Sequence, residues 1–388
     1  MGKVAKRIIA AIIALCVVFF VASFFIDYYV LDKAFQKRDQ VVYPGGNMPT
    51  FENYVSSHSR TPVEFTMDGL TLRGYIYESN DVTEPKGFVV FRHGIFSNHI
   101  YYLPEIIALS DCGWKVFAFD SLGAGESDGD SYVGMVQSAL DVTEAVNYVA
   151  REGLSGDLPI VLWGHSWGGY GVAAALNNVP WVKACVTMSG YDDPVDILVE
   201  TSEGMMGGFA VTQVPTLVLN TKLTFGSASS LTGTGGINAT SAPVLIIHGT
   251  GDPTVRYDGS AIIANRSNIT NPNVEYLEFS EEGRDGHNSY FYSKESNAYA
   301  DMKRAELKEL SDQYPEGIPD DVKAAFYEEF DAVRANTADP GLIEAIDDFL
   351  TRAIGDNAMK KVQGFTSNDT DSDDGKYGDF ESAYYSRS

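Results

Sequence analysis

Cysteine is scarce, three residues in 388. Cys16 lies inside a long apolar run, which leaves Cys112 and Cys185 as one conceivable pair and excludes a disulfide-stapled scaffold. Both read as small buried hydrophobes, Cys112 at a helix end and Cys185 in an apolar strand, so cysteine usage assigns no compartment. Positive charge is also short. Lys and Arg number 28 against 53 Asp and Glu, a formal net charge of −25. A surface of that sign repels phosphate backbones, so nucleic acid is not an expected partner. There is no internal repeat.

Beyond the basic opening "MGKVAKR", the chain runs from Ile8 to Ile26 without a charge, about the length needed to cross a bilayer core as a helix. No small-x-small exit precedes Asp27. Leu15 before Cys16 is too large for a lipoprotein cleavage site, and Lys6 breaks the myristoylation pattern. Residues 1–30 therefore read as a signal anchor. Lys3, Lys6 and Arg7 favour a cytoplasmic N-terminus and an extracytoplasmic bulk in a single-pass cell-membrane protein, although Lys33, Lys37 and Arg38 follow the span closely.

A polar connector (31–60) leads into a domain spanning 61–355. "PVEFTMDG" and "LTLRGYIYE" predict a hairpin with an Asp-Gly turn. "GFVVFRHG", "WKVFAFD", "LPIVLWGHS", "VKACVTMSG", "APVLIIHGTGD" and "NVEYLEFS" read as further strands, and helical patterns such as Tyr132 to Arg151 lie between several of them. Such alternation predicts an α/β fold with a mostly parallel sheet flanked by helices, whose ligands bind beyond the C-terminal strand ends. Two stretches interrupt it. Residues 191–241 read as a cap, apolar and then Gly/Ser/Thr-rich. Residues 293–340 read as an acidic helical insert with Asp320 as N-cap and Phe326, Phe330 and Val333 on one stripe. "GLIEAIDDFLTRAIG" closes the domain, and the Asp/Ser-rich tail within 356–388 has little to bury.

The chemistry gathers at strand ends. In Gly164-His165-Ser166-Trp167-Gly168 a serine follows a buried strand and opens a small-residue helix. Glycines two positions either side remove the side chains that would clash at so sharp a corner. The corner lifts Ser166 Oγ clear of the backbone and aims the next helix's N-terminus at the reacting atoms. A hydroxyl needs a base. His287, in "EEGRDGHNSY" after the last strand, can take its proton, and Asp252, in "IIHGTGDPTV", can hold the imidazole tautomer. Asp192 or Asp193 is the alternative acid. Backbone N–H groups of Ile95, after the turn at His93-Gly94, and of Trp167 are candidates for an oxyanion site.

Together "HG", "FDSLGAGESDG", "GHSWGG", "HGTGDPTV" and "GRDGH", in this order, resemble the α/β-hydrolase superfamily. The run Asp120 to Gly129 is similar to the serine aminopeptidase and monoacylglycerol lipase-like branch. The resemblance covers about Thr61 to Gly355, apart from the cap and the acidic insert. It implies serine hydrolysis through Ser166, Asp252 and His287 with neither metal nor cofactor, on a substrate it does not specify. Carboxylic ester cleavage through an acyl-enzyme is the leading expectation, since Leu198, Met205, Met206 and Phe209 in the cap suit an acyl or aromatic group. An aminopeptidase would need a carboxylate for the substrate amine, for which Glu200 or Glu203 could serve. An acyltransferase and a non-catalytic surface binding module are the remaining alternatives.

Overall fold

The fold is known from a computed structural model, which describes residues 2–37 and 48–363. The acidic tail beyond 363 and residues 38–47 of the expected connector lie outside the described residues.

The chain opens with helix α1 (Lys3–Ala34), almost wholly exposed and long and apolar enough to cross a membrane. It continues four residues past the expected anchor. Phe35 is buried in the domain core and Gln36 bridges to Ser131, so the start of the connector is docked rather than free. Strands β1 (His58–Met67) and β2 (Leu70–Ser79) form the expected hairpin. Its two turn residues, Asp68 and Gly69, have φ of 50° and 79°, the left-handed values a tight hairpin turn requires.

Strand β3 (Gly87–Arg92), helix α2 (Leu103–Asp111), β4 (Trp114–Phe119), α3 (Gln137–Arg151), β5 (Ile160–His165), α4 (Trp167–Ala175) and β6 (Cys185–Met188) follow in alternation. Three helices then intervene, α5 (Pro194–Met206), α6 (Val214–Phe225) and α7 (Gly233–Asn238), before β7 (Val244–Gly249) and β8 (Val274–Phe279). The acidic insert forms α8 (Lys294–Gln313), α9 (Asp320–Glu328) and the single turn α10 (Ala332–Ala335), and α11 (Pro340–Gln363) closes the described chain. The eight strands make one sheet in the order β1-β2-β4-β3-β5-β6-β7-β8, with β2 antiparallel to both neighbours and the rest parallel.

The period-two alternation of a strand feeds two cores. Phe88 and Val90 of β3 join α3 and α4 on one face, while Val89 and Phe91 join α2 and α11 on the other. Leu342, Ile346, Phe349 and Leu350 form the buried stripe of α11 at i, i+4, i+7 and i+8. Each large side chain buried this way stabilises the fold by roughly 1.5–3 kcal/mol.

Several boundaries depart from the sequence pattern for identifiable reasons. The helix expected from Tyr132 starts only at Gln137, because Tyr132 N–H is drawn to the Phe35 carbonyl and Val133 has φ of 60°. The Gly/Ser/Thr-rich link contains α7, N-capped by Thr232 (Gly235 N–H to Oγ1, 3.0 Å). Gly236 lets α7 lie directly on the Ala173 carbonyl of α4, where a Cβ would overlap it. In the insert, Pro319 rather than Asp320 takes the N-cap position, and the helix stops at Glu328. Phe326 and Val333 therefore sit on different helices. Cys112 and Cys185 are both free, and only Cys185 is fully buried.

One buried group opposes the fold. Glu105 of α2 is 1% exposed, and its carboxyl oxygens have no hydrogen-bond partner on any other described residue. Burial pushes its pKa up to about 8, eased only slightly by its own backbone N–H. The folded state therefore holds a proton that the unfolded chain releases above its ordinary carboxylate range, and stability from this group is lost as pH rises towards 8. Relative to wild type, Glu105→Gln should gain up to about 1.4 kcal/mol per pH unit across that window, read from urea unfolding at a series of pH values.

Candidate active site

The corner after β5 is strained in the way the sequence pattern requires. Ser166 has φ of 58° and ψ of −119°, left-handed for a residue with a Cβ. Its N–H donates to the Met188 carbonyl (2.8 Å) and its carbonyl accepts from Tyr170 N–H (3.0 Å), so both neighbouring elements hold it in place. No Cβ fits at either flanking glycine. At Gly164 it would overlap the Gly168 carbonyl, and at Gly168 the carbonyl of Arg92 at the end of β3. The close approach brings the first turn of α4 against the loop after β3.

Three residues from distant parts of the chain meet at this corner. Ser166 Oγ lies 2.9 Å from His287 Nε2, and His287 Nδ1 lies 2.7 Å from Asp252 Oδ2. The carboxylate is further held by the N–H groups of Thr254 (2.8 Å) and Val255 (3.0 Å) on Oδ1, and His248 Nε2 stands 3.3 Å from Oδ2. Burial alone would raise the Asp252 pKa. Hydrogen bonds from His248 and His287, attraction to His287 and the Val255 N–H outweigh it and hold the carboxyl well below the usual carboxylate range. His287 thus turns Nδ1 to the carboxylate and Nε2 to the Ser166 hydroxyl. The loops bearing Asp252 and His287 are pinned together, since Gly251 N–H donates to the Asp285 carbonyl (2.9 Å).

Asp192 and Asp193 serve other ends. Asp192 Oδ1 accepts from Thr234 N–H, and Asp193 Oδ1 caps α5 through Val195 N–H. Trp167 is the first residue of α4, so its N–H has no acceptor within the helix. Ile95 follows Gly94, whose Cβ position would lie 3.4 Å from Ser166 Cβ. Both candidate donors thus border the serine.

Around these lie residues that the sequence did not single out. Tyr102 on the approach to α2 accepts from Gly94 N–H (3.1 Å) and meets His165 Nδ1 (2.8 Å), while His165 Nε2 meets the His287 carbonyl (3.0 Å). This chain ties the loop of Ile95 to the loop of His287. Burial drives the His165 pKa well below its usual value and the nearby His287 adds to the effect, so His165 bonds as a neutral ring. Its place beside Ser166 at the corner was the only signal available. Beneath the corner, fully buried Arg92 stacks 4.5 Å from the Trp167 ring and pairs with Asp141 (3.5 Å), which also binds Ser121 Oγ and Gln137 Nε2.

The expected cap residues divide. Leu198 packs on the core, but Met205, Met206 and Phe209 are exposed, and Phe209 meets Phe19 of α1. Glu200 is committed to the loop after Asp252, accepting from Arg256 N–H (2.8 Å) and Ser260 N–H (2.7 Å). Glu203 pairs with Arg256 (2.9 Å).

Residues 87–222 match the sequence profile described as the alpha/beta hydrolase fold. A comparison with curated proteins finds no match. Among solved structures, an esterase of Pyrococcus furiosus is similar with a TM-score of 0.50 and 18% identity, over 72% of this chain and 98% of that one. Est1E of Butyrivibrio proteoclasticus with ferulic acid bound has a TM-score of 0.44 and 18% identity, over 58% and 90%. An acylaminoacyl peptidase of Pyrococcus horikoshii has a TM-score of 0.44 and 15% identity, over 61% and 38%.

Because a methyl at Gly168 would overlap main-chain atoms of β3, Gly168→Ala should cost roughly 3 kcal/mol, visible as a lowered melting temperature or loss of soluble protein. Gly283→Ala, at a turn glycine with open space around it, should cost only about 1 kcal/mol, all of it from its φ of +80°.

Proposed function

We propose that this chain, an α/β-hydrolase by fold and family profile, is a serine hydrolase that cleaves carboxylic esters through an acyl-enzyme. The observation that carries the reading is the unbroken relay of Ser166 Oγ, His287 and Asp252, with spacings of 2.9 and 2.7 Å. Ser166 Oγ attacks the ester carbonyl while His287 Nε2 takes its proton. The Asp252 carboxylate keeps Nδ1 protonated and favours the imidazolium that forms. The negative charge on the carbonyl oxygen is received by the N–H groups of Ile95 and Trp167, already fixed by the turn after β3 and the start of α4. The imidazolium returns the proton to the departing alkoxide, leaving the acyl group on Ser166. Water then enters by the same route, with His287 again as base.

An aminopeptidase reading lacks support at the cap, because Arg256 and backbone N–H groups already engage Glu200 and Glu203. In the same proposal α1 anchors the enzyme in the cell membrane as a single span, with Lys3, Lys6 and Arg7 on the cytoplasmic side and the hydrolase domain on the other.

The full chain in detergent should be labelled by a fluorophosphonate probe, and Ser166→Ala should abolish labelling while keeping the wild-type melting profile. Asp252→Asn should lower ester turnover by roughly 10⁴-fold, since the wrong imidazole tautomer then faces the serine. Labelling that persists in Ser166→Ala would refute the assignment of the nucleophile. A folded wild type that is neither labelled nor active on esters of increasing acyl length would remove the enzymatic reading.

A further inference from the structure

The outer side of the segment between β6 and β7 has an unusual surface. Met205, Phe209, Val211, Val218 and Leu223 are 78, 51, 62, 47 and 67% exposed. In a chain with 53 acidic residues, the stretch from Gly204 to Phe225 contains none, and its one basic residue is Lys222. So many exposed apolar side chains in one stretch without acidic residues mark a contact with something apolar.

Its place relative to α1 identifies that partner. Thr216 Oγ1 donates to Asp27 Oδ2 (2.5 Å), and Asn220 Nδ2 donates to the Phe24 carbonyl (3.4 Å), so α6 crosses α1 at the first charged residue after the apolar run. The turn preceding α6 reaches further back along α1, where the Phe209 and Phe19 ring centroids are 6.1 Å apart. Phe19 precedes Asp27 by eight residues, roughly 12 Å along a helix. If α1 spans a bilayer, Phe209 lies below the level of Asp27, at the depth of Phe19.

We propose that the cap face around Phe209 and Val211 is inserted in the lipid bilayer beside α1, so that the enzyme rests on the membrane through its cap as well as through its anchor. The proposal rests on the reading of α1 as a membrane span. The segment is suited to that depth. Thr212 Oγ1 donates to the Phe209 carbonyl (2.8 Å) and Gln213 Nε2 donates to Thr212 Oγ1 (2.8 Å), so the Thr212 hydroxyl and one Gln213 N–H find partners within the turn. Lys222, exposed next to Leu223, can extend its ammonium to lipid phosphates while its stem stays among apolar neighbours. Depth of this order is that of an interfacial segment rather than a second span.

The test uses the full chain in phosphatidylcholine nanodiscs. In a Cys16→Ser, Cys112→Ser background, with Cys185 buried, single cysteines replacing Phe19, Val211 or Asp312 carry a nitroxide. Collision with oxygen, which partitions into lipid, is compared with collision with a water-soluble nickel chelate. Each labelled protein must melt with the unlabelled one, which is expected because Val211 and Asp312 are surface sites. The proposal expects positions 19 and 211 both to be oxygen-dominated and position 312 to be nickel-dominated. Oxygen at 19 with nickel at 211 would overturn the docked cap and leave the anchor standing. Nickel at 19 would overturn the anchor and the docking with it. A label at 211 shielded from both reagents would mean that protein, such as a second copy of the chain, covers the patch, and would overturn a lipid contact.

Discussion

The close contact between the first turn of α4 and the end of β3 is the constraint around which the candidate site is arranged. With no Cβ at Gly168, the helix can start against the Arg92 and His93 carbonyls. The chain must then turn at Ser166 with φ of 58°, a cost of order 1–3 kcal/mol that surrounding structure has to hold. Packing on the face of the sheet that carries α3 and α4 supplies the restraint. Trp167 is buried against Arg92 and Tyr132, and Tyr170 stacks on Tyr191 at 4.6 Å. One close approach therefore places the serine hydroxyl, the N-terminus of α4 and the turn of Ile95 side by side.

Charge is managed around that corner by saturation. Asp252 accepts two backbone N–H groups and faces two imidazoles, so a buried carboxylate remains ionised without a neighbouring Arg or Lys. An Arg there would hold the carboxylate equally well, but it would compete with His287 for it. The one fully buried guanidinium among the described residues, Arg92, sits instead beneath Trp167 and spends its charge on Asp141. The side chains that Asp252 faces are thus the imidazoles of His287 and His248.

How much of this was legible in the sequence follows from the range of the interactions. Local signals read well. The Asp-Gly hairpin, the continuous apolar strands, the glycine pair around Ser166 and the stripe of α11 each express a backbone or burial requirement within a few residues. Ser166, Asp252 and His287 could be nominated because each follows a strand in a fixed order. What was missed is set by contacts across long separations. The docking of Phe35 delays α3 to Gln137, and Tyr102 reaches His165 from 63 residues away. The apolar cap residues were read as a substrate wall because hydrophobicity has no direction in sequence. Only the structure shows that Met205, Met206 and Phe209 are exposed and that Phe209 meets Phe19.

The segment between β6 and β7 also bears on which bond such a site would cut. Its inner edge is fastened to the Asp252 loop by Glu200, whose oxygens take the N–H groups of Arg256 and Ser260, while Arg256 reaches across to Glu203. A peptide N-terminus seated on Glu200 would take it from the N–H groups of the loop that follows Asp252. An ester makes no such demand, because its recognition rests on neutral contacts and on the oxyanion donors. The same segment touches both α1 and the Asp252 loop. Thr216 holds one end at Asp27 and Glu200 holds the other.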